Sequence, residues 1–273
     1  MTIIGTDVVR RGGPTVAIVM PAFNEARRIG QTIASIATYR ASGAPIGPIV
    51  IADDGSTDGT EEVARRAAAD LDLPIEVLSF PHRGKALTVR SAMIDVAART
   101  RTDYLMMLDA DDELRIDQLD RVDWSSDPRT IYIGRRVDSV EGDEGVRPTL
   151  VRRSMSLAMR LASRVLLGIT FPDTQCGFKL FPRAIAADLF AQQRSAGWTF
   201  DAELLFIASR VSGLPVREVP VVWVPRGVSR VRPLTAMLSG LAMFGTAQRR
   251  VRRVYRPVGA GVRPVTRPAV VRR

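Results

Sequence analysis

At 273 residues, 46% hydrophobic and 25% charged, the chain suits one large α/β domain or two small ones in a soluble globular protein. Cys176 is the sole cysteine and His82 the sole histidine, which excludes an internal disulfide and leaves almost no material for a Cys/His zinc site or a Ser-His-Asp triad. A metal would have to be held by carboxylates, which favours Mg²⁺ or Mn²⁺. Twelve arginines and no acidic residue follow Glu218, so against a total of +10 residues 1–218 stand at −2 and the C-terminal part is strongly basic.

The opening MTIIGTDVVRRGGPT has neither a continuous apolar core nor a small-residue cleavage site, so it does not read as a signal peptide and a cytoplasmic chain is expected. VAIVM (16–20), ended by Pro21, reads as a buried parallel strand. Asn24 is placed to cap a helix carrying Ile29, Ile33 and Ile36. PIVIADD (48–54) is a second strand, followed by the turn Gly55 to Gly59 and a helix from Thr60 to about Asp70. IEVLSF (75–80) is a third strand, Lys85 to Ala98 a third helix, and YLMMLDADD (104–112) a fourth strand running into acidic residues.

Four successive strand-helix units predict a right-handedly wound, mostly parallel sheet with helices on its faces. Such sheets bind ligands at the carboxyl ends of their strands. Here those ends are PAFNE, DDGSTDG, PHRGK and DADDE, four polar clusters on one rim. In the second half, IYIGRR (131–136) reads as a strand entering the site and 137–150 as a mobile loop. A helix over 154–170 precedes a proline-bounded loop at 171–182, a helix at 199–211 and a strand at 216–224. No internal linker appears, so residues 1–248 are expected to form one domain and 249–273 a basic tail.

Asp109 and Asp111, two carboxylates at i and i+2 on a strand end, can face one cation and through it a nucleotide diphosphate. The plainer alternative is an acidic turn capping the next helix. Asp53 and Asp54 can accept from a nucleobase or ribose while the Gly55-Ser56 turn exposes N–H groups, or they can simply cap a helix. His82-Arg83-Gly84-Lys85 can close over a phosphate, with Lys85 at a helix start that favours anions and His82 as a loop residue.

Read together, PAFNE, DDGSTDGT, RGKA and DADD resemble glycosyltransferase family 2, whose fold is GT-A. DTQCGFKLF (173–181), WTFDAELL (198–205) and EVPVVWV (218–224) are similar to a narrower group that moves glucose or mannose onto dolichyl or polyprenyl phosphate, most of all the dolichyl-phosphate β-glucosyltransferases with UDP-glucose as donor. The resemblance covers roughly residues 14–245. It implies a donor site of Pro21, Phe23, Glu25, Asp53, Asp54, Lys85, Asp109 and Ala110, and a metal held by Asp109, Asp111 and Glu113. Acceptor phosphate would be met by Arg136, Arg153, Arg230 and Gln175. Asp173 and Asp201 would lie by the sugar or acceptor, and Asp109, Asp111, Arg136, Asp173 and Arg230 form the catalytic set. The reaction would invert the anomeric carbon. Three departures stand out: RGKA lacks the glycines of the usual RGKGGA-like run, Gly227-Val228-Ser229-Arg230 replaces a Gly-Ser-Lys, and no long apolar run is present.

A lipid phosphate is already ionised, so positioning and electrostatics suffice without a strong base. Its acceptor implies contact with an anionic membrane surface, and the chain is expected to sit peripherally on the inner face. The uncharged stretch Pro233–Gln248, 16 residues or about 24 Å as a helix, is short of the roughly 30 Å hydrocarbon core and suits an interfacial helix. Residues 154–170 are a second such candidate, with Met155, Met159, Leu166 and Leu167 apolar and Arg160 and Arg164 adjacent. The alternative for both is a core-facing helix. Rival activities are GDP-mannose-dependent transfer, a soluble acceptor, or nucleotidyl transfer. Specific nucleic-acid binding is disfavoured, because the nine arginines from Arg249 onward are interleaved with a single aromatic, Tyr255.

Overall fold

The computed structural model describes residues 13–137, 139–140, 143–144, 157, 160–161, 163–197, 199–224 and 255–259. Its first half alternates β1 (Val16–Ala22), α1 (Ile29–Ala41), β2 (Ile46–Asp53), α2 (Thr60–Asp70), β3 (Glu76–Ser79), α3 (Lys85–Arg99) and β4 (Tyr104–Leu108). A 3₁₀ turn, Ile116–Arg121, leads to β5 (Ile131–Val137), the short pair β6 (Ser139–Val140) and β7 (Asp143–Glu144), then β8 (Phe178–Pro182), α4 (Arg183–Ala191), α5 (Phe200–Phe206) and β9 (Val216–Val222). Residues Ser163–Leu167 and Ile207–Val211 adopt wider π turns.

Seven strands form one sheet in the order β3-β2-β1-β4-β8-β5-β9, and all neighbours are parallel except β8, which runs antiparallel to both β4 and β5. The strands read as unbroken apolar runs because both faces are covered. Ala17, Val19, Val50, Ala52, Leu105 and Met107 pack with α3, α4 and α5 on one side. Val16, Ile18, Met20, Ile51, Met106 and Leu108 pack with α1 and α2 on the other. Each fully buried side chain of this size contributes about 1.5–3 kcal/mol.

The first half matches the expected elements to within a few residues. Three expectations need correction. Asn24 does not cap α1: it adopts a left-handed φ of 54°, its Oδ1 accepts from the Thr57 amide at 2.9 Å, and the helix starts four residues later, after Arg28. The proline-bounded stretch 171–182 is not all loop, because Phe178–Pro182 forms the buried strand β8, with Met107 paired to Lys179 and Leu108 to Phe178. The loop expected over 137–150 includes the antiparallel pair β6–β7. The interfacial helix expected at 233–248 lies outside the described residues, and 154–170 falls on them only in part. No helix among the described residues is long and apolar enough to cross a membrane.

Parallel pairing brings the C-terminal ends of β1, β2, β4, β5 and β9 to one rim, and the antiparallel β8 brings its N-terminal end there too. That reversal lets residues 173–177 meet the loops that leave the other strands.

Candidate active site

A cavity of about 460 Å³ opens at this rim. Of the residues expected there, Pro21, Phe23, Glu25, Asp54, Lys85, Asp109, Ala110, Asp111, Glu113, Arg136, Gln175 and Asp201 all line it.

Asp53 and Asp54 follow one another but face different tasks. The Asp53 carboxylate accepts from the Ser56 amide at 3.0 Å and from its hydroxyl, so it closes the turn after β2 and that Ser56 amide is not exposed to a ligand. Asp53 is not among the cavity-lining residues. Asp54, buried, accepts from the Arg83 and Gly84 amides at 3.0 Å each and from the Thr88 hydroxyl at 2.6 Å. It thus ties β2 to the start of α3, where Gly84 has a φ of 91°. His82 Nδ1 lies 2.8 Å from the same carboxylate, and its ring stacks on Phe23 with centroids 4.0 Å apart.

The acidic turn follows β4. Asp109 is bonded to the Lys85 ammonium. Burial by itself would lower the Lys85 pKa, but the facing carboxylates of Asp109, Asp201 and Asp111 more than offset this and hold it raised. For Asp109 burial acts upward, yet Lys85, Lys179 and Arg136 bring it below its ordinary value. Asp111 is pushed up to about 6 by burial and by the neighbouring charges of Asp109 and Glu113. Arg28, a cavity residue not singled out in the sequence, grips Glu25 through two N–H donors at 2.8 Å and lies 3.9 Å from Asp111. Glu113 accepts from the Trp223 indole at 2.7 Å, and its carbonyl accepts from the Val224 amide at 2.9 Å, which binds the end of β9 to the acidic turn.

Gly177, at the entry to β8, is set by a close approach. A Cβ there would lie 2.1 Å from Asp109 Oδ2, so the carboxylate rests directly on the glycine backbone. Behind it Lys179, fully buried, pairs with Asp201 at 2.8 Å and donates to the Cys176 carbonyl. Burial raises the Asp201 carboxyl, while Lys179 and Lys85 pull it back. Arg136 and Asp173 pair with each other, and Arg153 and Arg230 lie outside the described residues.

Carboxylates alone suit Mg²⁺ or Mn²⁺. Asp111, raised first by burial and then by the charges of Asp109 and Glu113, lines the cavity with those two carboxylates, oxygen donors of the kind such an ion takes. Among the described residues, however, no three acidic or His/Cys side chains converge as a finished metal cluster. Asp109 is engaged by Lys85 and Glu113 by Trp223. Arg28, Lys179, Phe200 and Trp223 had carried no role in the sequence reading. Trp223, Lys179 and Phe200 lie inside quoted motifs, but the carboxylates that pair with the first two, Glu113 and Asp201, are more than twenty residues away in the chain.

The sequence model of the family described as Glycosyl transferase family 2 matches residues 17–190. A dolichyl-phosphate beta-glucosyltransferase of Trichomonas vaginalis is 31% identical over 226 residues, covering 78% of this chain and 65% of that protein. The dolichyl-phosphate beta-glucosyltransferase of Saccharomyces cerevisiae is 29% identical over 225 residues, covering 76% and 66%. The chain therefore spans about 65% of the length of these curated relatives. Glucosyl-3-phosphoglycerate synthase from Mycobacterium tuberculosis, solved with Mn²⁺, UDP-glucose and phosphoglyceric acid, superposes with a TM-score of 0.61 at 19% identity, covering 87% of this chain and 80% of that one. Mannosyl-3-phosphoglycerate synthase from Rubrobacter xylanophilus gives 0.61 at 21%, covering 88% and 76%. These likenesses show the fold, which is GT-A.

Proposed function

Because the chain belongs to glycosyl transferase family 2, we propose that it transfers a hexose, glucose before mannose, from a nucleotide-sugar donor, UDP-glucose before GDP-mannose, to a dolichyl or polyprenyl phosphate with inversion. The observation that carries this reading is one cavity bearing both the acidic turn Asp109-Asp111-Glu113 and the cations Lys85 and Arg136.

In this reading Asp111, with Asp109 and Glu113, would hold Mg²⁺ or Mn²⁺, which would supply charge neutralisation for a leaving diphosphate. Lys85, at the α3 N-terminus beside Asp109, would bear on the same phosphates. Glu25 and the Phe23–His82 stack would border the nucleoside. Arg136 would meet the acceptor phosphate and hold its oxygen toward the anomeric carbon, with Gln175 beside it, and Asp173 would keep the guanidinium aimed. The acceptor is ionised beforehand, so no residue has to remove its proton. Arg153 and Arg230 remain proposed partners for the same anion.

The membrane reading is likewise proposed. Leu157, Leu161 and Val165, spaced four apart, are 60%, 60% and 63% exposed, with Arg160 and Arg164 exposed between them. This favours a peripheral helix on an anionic cytoplasmic surface. Of the apolar residues expected to form the stripe, Leu167 is instead buried, while Met155 and Met159 lie outside the described residues.

The test is turnover of UDP-glucose and GDP-mannose with a short polyprenyl phosphate and Mg²⁺ or Mn²⁺, comparing the native chain with Asp111→Ala. Glycolipid formed from UDP-glucose and lost in the variant supports the reading. Glycolipid only from GDP-mannose changes the sugar. Donor turnover without glycolipid would replace the lipid with a soluble acceptor.

A further inference from the structure

The segment 193–197 after α4 supplies Ala196 and Gly197 to the cavity, beside Gly84, Lys85 and Ala86. Gln193 fastens it from below, donating to the Ala86 and Ser195 carbonyls at 2.9 Å each. Glu203, nearly buried on α5, accepts the Arg194 amide at 3.0 Å and the Ser195 amide at 2.8 Å. The hydroxyl of Tyr255 donates to the same carboxylate.

Tyr255 belongs to a stretch that the sequence assigned to a basic tail, yet it packs into the body. Its ring meets Phe206 edge-on, with centroids 6.3 Å apart. Gln192 exchanges two hydrogen bonds with the Arg256 backbone, at 2.6 and 3.0 Å. The Val258 amide donates to Ser212 Oγ at 2.9 Å while its side chain is buried.

We infer that residues 255–259 are a strap of the catalytic unit and that Tyr255 is a positioning residue, holding through Glu203 the loop that walls the cavity next to Lys85. Without the hydroxyl the buried carboxylate is one donor short and no longer tied to the strap, so the closed arrangement is less favoured over local opening. The wall formed by Ala196 and Gly197 would then sample positions away from α3. That the wall faces a nucleotide-sugar rests on the function proposed above, whereas the strap itself does not.

The experiment uses the full chain. Tyr255→Phe keeps the ring against Phe206 and removes only the hydroxyl. Amide exchange at residues 194–197 should accelerate about tenfold, the ratio that corresponds to ~1.4 kcal/mol, while exchange in the β-sheet stays unchanged. The KM for UDP-glucose should rise about three- to tenfold with kcat altered less than about twofold, as expected when a binding wall loosens and the chemistry does not. Glu203→Gln should give the same local pattern. Unchanged exchange at 194–197 in both variants would overturn the strap, and so would acceleration spread evenly over the sheet. Failure of the native chain to bind UDP-glucose would count against the donor reading, and the exchange comparison, made without ligand, still decides the strap.

Discussion

The Arg136 guanidinium holds the Asp173 carboxylate by two N–H···O bonds of 2.7 and 2.9 Å, and the Arg136 amide adds a third at 3.2 Å. The carboxylate lies below its ordinary pKa because this pairing outweighs the upward effect of burial, and the guanidinium is correspondingly harder to deprotonate. A planar fork fixed in this way presents its remaining donors in one direction.

Asp173→Asn should therefore misdirect Arg136 without removing its charge. The expected result is a rise of roughly tenfold in KM for the lipid phosphate, matching a charge-assisted bond of about 1.5 kcal/mol, with donor affinity unchanged. Steady-state kinetics with each substrate varied in turn would check it. Equal loss toward both substrates would mean that Asp173 acts on the whole cavity.

Gly177→Ala would push a methyl onto the Asp109 carboxylate, which its Cβ approaches to 2.1 Å. Because Asp109 is a proposed ligand, Mn²⁺ affinity should fall by about 10–100-fold, as for disturbed supporting contacts in metal sites. Manganese titration followed by electron paramagnetic resonance reads this directly, without turnover.

The acidic turn should also respond to pH. With its carboxyl raised from 3.8 to about 6, Asp111 binds a proton more readily in the folded protein than in the unfolded chain. Its contribution to stability is thus fully present below about pH 4 and is lost as pH rises through about 6. Asp111→Asn should remove that loss, so the melting temperature of the variant relative to the native metal-free chain should increase between pH 5 and 7. Mn²⁺ held at the proposed site would compete with the proton, and its affinity should weaken below about pH 6. A pH-independent difference between the two proteins would contradict the assignment.

Asp54→Ala should be costly for the fold. It strands the buried Thr88 hydroxyl, an unsatisfied group that costs about 1–3 kcal/mol, and releases the more exposed Arg83 and Gly84 amides to water. Urea unfolding should show a lower midpoint, and loss of donor binding should accompany it because the start of α3 is no longer fixed.

Much of this was legible in the sequence, for local reasons. Strand and helix in the first half alternate within short windows, so the helix expected from Thr60 to about Asp70 runs Thr60–Asp70 and Asp109-Ala110-Asp111 follows a strand end as expected. β8 was missed because prolines 172 and 182 bracket it and its pairing partners, Met107 and Leu108, are some seventy residues away. Asp53 and Asp54 look interchangeable in sequence, and only the tertiary approach of residues 83–88 separates the turn-closing carboxylate from the helix-tying one. Arg28 was hidden because its neighbour Asp111 is equally remote in the chain.

The reversed direction of β8 also sets the order in which the site is completed as the chain is made. The cavity residues Phe23, Asp54, Lys85 and Asp109 all precede β5, so an emerging chain can wind its first four strands before Arg136 or Gln175 exists. The backing for Asp109 arrives only when Gly177 threads between strands already laid down on one side and still unpaired on the other. Closing that long-range contact is slow relative to local helix formation. Nascent chains that stall before residue 177 would thus hold an open sheet edge at β4, which is where a chaperone or a misplaced neighbouring strand would first find purchase.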